Sequence, residues 1–72
     1  MEYSIHALKM LGRRGFNKLD ADKFIADCET SFERADGCIE YRKKLLGDVT
    51  MVLWYSYNVD KVVTIRYEHK LR

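Results

Sequence analysis

The stretch Cys38-Ile39-Glu40-Tyr41-Arg42-Lys43-Lys44-Leu45, followed by Gly47-Asp48 and then Thr50-Met51-Val52-Leu53-Trp54-Tyr55-Ser56-Tyr57, decides the fold. In its first half Ile39, Tyr41, Lys43 and Leu45 alternate with Glu40, Arg42 and Lys44, and a period of two marks a half-buried strand. Gly47-Asp48 is a turn signal, and the second half is rich in the aromatic and β-branched residues that strands favour. After a second turn at Asn58-Val59-Asp60, Val63, Ile65, Tyr67 and His69 alternate with Thr64, Arg66 and Glu68. The reading is a three-stranded antiparallel meander.

The register follows from side-chain parity. The apolar set of the middle strand is Met51, Leu53, Tyr55 and Tyr57. A two-residue turn at Gly47-Asp48 pairs Tyr41 with Trp54 and throws Leu45 to the face away from Met51. An odd loop over Gly47, Asp48 and Val49 pairs Tyr41 with Tyr55 and Leu45 with Met51. Because a one-residue slip inverts every side chain, the core pattern selects the odd loop. The same parity favours an odd second loop, with Tyr55 near Ile65 or Val63.

Toward the N terminus the period lengthens. Ser4 suits the cap of a helix over Ile5 to Arg14, in which Ile5, Leu8 and Leu11 recur at helical spacing and Gly15 supplies a left-handed end. Asp20 suits the cap of a second helix over Ala21 to Asp36, with Ala21, Phe24, Ile25, Cys28 and Phe32 on one face and Gly37 closing it. The expectation is one α+β domain over residues 1–72, two N-terminal helices packed on one face of the meander. A short extra strand at Glu2 to Ile5 is the rival reading of the N terminus. Phe24, Ile25, Phe32, Leu53, Tyr55, Val63 and Ile65 are the expected core.

Composition bounds the function. In 72 residues, 47% hydrophobic and 33% charged, there is room for one core and no disordered tail. No apolar run approaches the roughly 18 residues of a membrane span. No secretion signal is visible, so a cytoplasmic location with Cys28 and Cys38 as reduced thiols is expected over a disulfide. Without a Cys-x-x-Cys pair, and with His6 and His69 at opposite ends, no metal or other cofactor is expected. Charge is uneven: residues 1–37 sum to −1 and residues 38–72 to +3. No dinucleotide, P-loop or Gly-x-Ser-x-Gly pattern occurs.

The register leaves a second sheet face bearing Arg42, Lys44, Val52, Trp54, Ser56, Thr64 and Arg66. Trp54 falls opposite Arg42 and near Arg66, where its ring can stack on a guanidinium. One reading is an ordinary amphipathic sheet. The other is a nucleic-acid surface formed by Arg42, Lys44, Trp54 and Arg66, an aromatic plate among cations that accepts a base and its phosphate.

The segment Ser4-Ile5-His6-Ala7 followed by Arg14-Gly15-Phe16, with Tyr41-Arg42-Lys43 and Val62-Val63-Thr64-Ile65 further on, resembles a small bacterial domain family of unknown function. That family is similar to the RelE and colicin-type ribonucleases of the BECR fold. Met10 and Phe16 depart from its pattern, which more often has an Arg and an Ile or Val there. The resemblance implies a metal-independent endoribonuclease toxin that attacks RNA through the ribose 2′-hydroxyl, with a cognate antitoxin or immunity protein as partner. It implies His6 as proton-transfer group, Arg14 and Lys43 as phosphate and transition-state contacts, and Thr64 as a positioning hydrogen-bond donor.

The chemistry of these residues is consistent with such roles. The positive end of a helix lowers the pKa of an imidazole in its first turn, which suits a general base. Arg14 lies about 12 Å further along the axis at the usual helical rise, so it fits phosphate positioning better than proton transfer. Each residue also has a structural role open to it: a backbone hydrogen bond for His6, the helix dipole for Arg14, snorkelling for Lys43 and strand propensity for Thr64. The alternative function is a non-catalytic binding or inhibitor module of phage or plasmid type, working through the Arg42, Trp54 and Arg66 face.

Overall fold

Ser4 opens the first helix by accepting from the Ala7 amide at 3.0 Å. The computed structural model, which describes residues 1–28 and 30–69, continues from this cap into α1 (Ile5–Gly12) and then α2 (Lys18–Ala26). Asn17, not Asp20, caps α2. Asn17 accepts from the Asp20 amide and Asp20 accepts from the Asn17 amide, both at 2.9 Å, so Asp20 is the third residue of a reciprocal capping box. Both helices stop earlier than their apolar spacing indicates. α1 ends two residues before Arg14, and Gly15 takes the positive φ of 74° that turns the chain toward α2.

The helices lead into one antiparallel sheet of β1 (Thr30–Glu33), β2 (Cys38–Leu45), β3 (Val49–Ser56) and β4 (Lys61–His69), in that spatial order. The class is α+β with helices before strands, but the sheet has four strands and not three. The residues expected to carry the second helix from Asp27 to Asp36 form its cap and then a hairpin, apart from Glu29, which lies outside the described residues. Gly37, at φ 83°, serves the turn between β1 and β2. A left-handed glycine ends helices and turns hairpins alike, and Phe32 continued the helical spacing of Phe24, Ile25 and Cys28 only by coincidence. Phe32 is 49% exposed and pairs with Glu40, which puts it on the face away from the helices.

The β2–β3 loop is odd, as parity demands, but lies one residue earlier in the chain. Leu46, Gly47 and Asp48 form it, so Tyr41 pairs with Leu53 and Leu45 with Val49, two residues from the expected partners. Gly47 and Asp48 both take positive φ there. The β3–β4 connection over Tyr57 to Asp60 is even, which by itself inverts the faces. A register shift between Trp54 and Tyr55 restores them: Trp54 pairs with Thr64 and Tyr55 with Val62, leaving Val63 as the extra residue. Ser4 fixes this bulge by donating its hydroxyl to the Val63 carbonyl at 2.9 Å. Tyr3 forms one parallel bridge with Val62, so the rival N-terminal strand exists only as a single bridge.

The core lies between the helices and one sheet face. Ala7, Leu11, Ala21, Met51, Leu53, Val62 and Ile65 are buried there, with Phe24, Ile25, Tyr41, Tyr55 and Tyr67 packed half-buried against them. Of the expected core, Phe32 is outside it and Val63 is only half-buried, because the bulge gives its place to Val62.

Candidate functional site

α1 runs alongside β4 in the same direction, and three contacts set the alignment. Ser4 holds Val63, the Tyr67 hydroxyl donates to the Met10 carbonyl at 2.9 Å, and Arg14 Nη2 lies 3.3 Å from His69 Nε2. Arg14 also stacks over the Tyr67 ring, 4.9 Å from its centroid. Burial pushes the Tyr67 phenol up, and the Arg14 charge offsets part of that rise. A guanidinium has donors only, so His69 meets Arg14 through a lone pair on Nε2, with its proton on Nδ1.

Beside this pair opens a cleft of about 520 Å³ whose lining includes Arg14, Lys43, Phe16, Phe24 and Leu45. Phe16 and Phe24 pack edge to face with centroids 5.2 Å apart, giving the cleft an aromatic floor under a cationic rim. Lys43 reaches it because β2 alternation places it on the helix side, paired with Met51. A flat heteroaromatic ring suits the floor and a phosphate suits the rim.

The expected catalytic residues divide between two places. Arg14 and Lys43 line one cleft. His6 is exposed in the first turn of α1, about two helical turns back along the axis from Arg14. Thr64 pairs with Trp54 on the opposite side of the sheet. The histidine that accompanies Arg14 is His69 instead. Its signal was in the sequence, since Ile65, Tyr67 and His69 alternate on the core face. The Arg14–His69 pairing itself depends on how α1 lies along β4, which spacing does not encode.

The uncovered face is an ion-pair lattice around one carboxylate. Glu40, 3% exposed, accepts from Arg42 Nε at 2.7 Å, from Trp54 Nε1 at 2.9 Å and from Arg34 Nη1 at 3.3 Å. Glu68 receives Arg42 and Arg66, each at 2.9 Å. Trp54 sits opposite Glu40, not Arg42, and is flanked by the guanidinium carbons of Arg34 at 4.3 Å and Arg66 at 5.3 Å. Burial pushes the Glu40 carboxyl up, but Arg42 and the Trp54 indole outweigh it and hold the group below the ordinary carboxylate range. Val52, between Arg42 and Arg66 in the ladder, is fully buried although no helix covers this face. Of the four expected nucleic-acid contacts, Arg42 and Arg66 are ion-paired, Trp54 is stacked, and exposed Lys44 has no ion pair among the described residues.

Among the described residues no three His, Cys, Asp or Glu side chains gather in a way that holds a metal ion, and Cys28 and Cys38 are free thiols. No described helix is long and apolar enough to cross a membrane. Comparison with protein-family models, curated proteins and solved structures returns no match.

Proposed function

We propose that the chain is a metal-independent endoribonuclease of toxin type, acting in the cytoplasm on RNA and restrained by a cognate antitoxin or immunity protein. The observation that carries the reading is Arg14, which shares an aromatic-floored cleft with Lys43 and meets His69 next to it. A base rests on Phe16 and Phe24, which brings its 3′ phosphate to the cationic rim. The ribose 2′-hydroxyl replaces Arg14 as the donor to His69 Nε2, His69 takes its proton there, and the 2′ oxygen attacks phosphorus. Arg14 and Lys43 neutralise the charge that grows on the phosphoryl oxygens. The bond to the 5′ oxygen breaks, that oxygen takes a proton from the Lys43 ammonium, and a 2′,3′-cyclic phosphate remains. Solvent then returns His69 and Lys43 to their starting states.

This reading moves the proton-transfer role from His6 to His69, and the two histidines provide the test. Purified protein in EDTA should cleave RNA to 2′,3′-cyclic phosphate and 5′-hydroxyl ends. Removing one proton-transfer group typically costs a factor of about 10²–10⁴, so His69→Ala should fall that far while His6→Ala stays within a few-fold of wild type. Intact RNA, or undiminished cleavage by the His69→Ala protein, overturns the reading.

A further inference from the structure

Alternation along β2 sends Lys43 and Lys44 to opposite faces at the same end of the sheet. Lys43 enters the cleft, while Lys44 lines three hollows in succession. The first is the cleft. The second, about 290 Å³, also holds His69, Thr50, Asp48 and Glu68. The third, again about 290 Å³, lies on the uncovered face and is lined by Thr30, Arg42, Lys44 and Thr50. The register brings them together, because Thr30 pairs with Arg42 and Lys44 with Thr50.

From this arrangement we infer that the third hollow is a second phosphodiester-binding subsite, which takes a backbone phosphate flanking the one held by Arg14 and Lys43. The inference rests on the RNA reading above. Two hydroxyls and two cations line the hollow, and these are the side chains that proteins commonly present to phosphate oxygens. Arg42 is already oriented, since Nε is held by Glu40 and Nη1 by Glu68. Lys44 supplies a cation that has no ion pair among the described residues. Two carboxylates lie nearby, and both are engaged: Glu40 by Arg42, Trp54 and Arg34, and Glu68, opposite Thr50, by Arg42 and Arg66. Lys44 lines both the cleft and the third hollow, so a strand leaving the cleft reaches the subsite by bending over the end of the sheet. The ligand is therefore a flexible single strand longer than a dinucleotide.

The test uses 2′-O-methyl oligouridines of two and eight nucleotides, which bind without being cleaved, and reads anisotropy against salt for wild type, Lys44→Gln and Thr30→Asp. Thr30 is exposed on the edge strand, and far-UV melts check that both variants fold. One lost phosphate contact lowers the salt slope for single strands by about 0.7, which is about fivefold in affinity at 0.1 M salt relative to 1 M. Both variants should lose about that much for the octamer, and Thr30→Asp should leave the dinucleotide unchanged. Equal losses for both lengths in Thr30→Asp, or no loss for the octamer in either variant, overturn the subsite while cleavage by wild type keeps the RNA reading. Octamer-specific losses in a protein that cleaves nothing support the subsite and overturn the nuclease. If wild type binds neither oligonucleotide, both fall.

Discussion

Glu40→Gln removes one charge from the centre of the uncovered face and leaves the shape nearly unchanged. Three donors converge on this carboxylate, from Trp54, Arg42 and Arg34. A hydrogen bond to a charged group contributes about 1.5–3 kcal/mol against about 0.5–1.5 for a neutral one, so each donor stands to lose about 1 kcal/mol. Arg42 and Arg34 are 34% and 36% exposed and can rehydrate, so their shares fall toward the surface-pair range of about 0–1 kcal/mol. The expected cost is about 1.5–3 kcal/mol at pH 7. For a domain of this size that lowers the melting temperature by roughly 10–20 °C. The sign of the pH dependence follows from the depressed carboxyl. Its stabilisation is fully present above the ordinary glutamate value of 4.5 and is lost as pH falls through the lower folded-state value. Urea unfolding of both proteins from pH 7 to pH 3 should show a gap that narrows in acid. A gap under about 0.5 kcal/mol at pH 7, or one unchanged down to pH 3, refutes the reasoning.

Ser4→Ala removes a helix cap worth about 1 kcal/mol and the hydroxyl that holds the Val63 carbonyl, so urea unfolding should show a loss of about 1–3 kcal/mol. Amide exchange at Ala7 should accelerate; protection equal to wild type contradicts the cap. Gly37→Ala should cost about 1–2 kcal/mol through backbone strain at φ 83°, because the added Cβ meets nothing closer than Asn58 Nδ2 at 3.8 Å. Gly37→Asn should recover part of that loss, and an Asn variant no better than Ala places the cost elsewhere.

The parts of the molecule that a sequence encodes locally were legible. Ser4 caps α1, and the alternation of β2 with the demand for an odd loop put Trp54 on the face away from Phe24. Parity is a binary constraint, however, and fixes register only to the nearest two residues, so Tyr41 met Leu53 and not Tyr55. β1 carried no pattern at all. Thr30, Ser31, Phe32 and Glu33 are all exposed, so no apolar alternation distinguished the strand from a helix tail. The bulge at Val63 was hidden because an even loop and one extra residue cancel in the side-chain pattern further along β4. At the site, Arg14 and Lys43 were chosen as cations and share a cleft. His69 was passed over because its partner is 55 residues away and belongs to a different kind of element. Glu40 was read as one of several outward charges, although its three donors come from three separate stretches of chain.

Docking α1 along β4 also sets the order in which the molecule assembles. Each hairpin of the sheet joins neighbours in sequence and can close early. The contacts of Ser4 with Val63 and of Arg14 with His69 close loops of more than fifty residues, far longer and more entropically costly than the hairpin loops. On this topology loop-closure entropy favours closing the hairpins before α1 seals against the sheet. Fraying runs the other way, with α1 peeling from β4 before the hairpins open. The cationic cluster beside the cleft therefore exists only in the fully closed chain. A partner that merely holds α1 off the sheet dismantles that cluster without touching it.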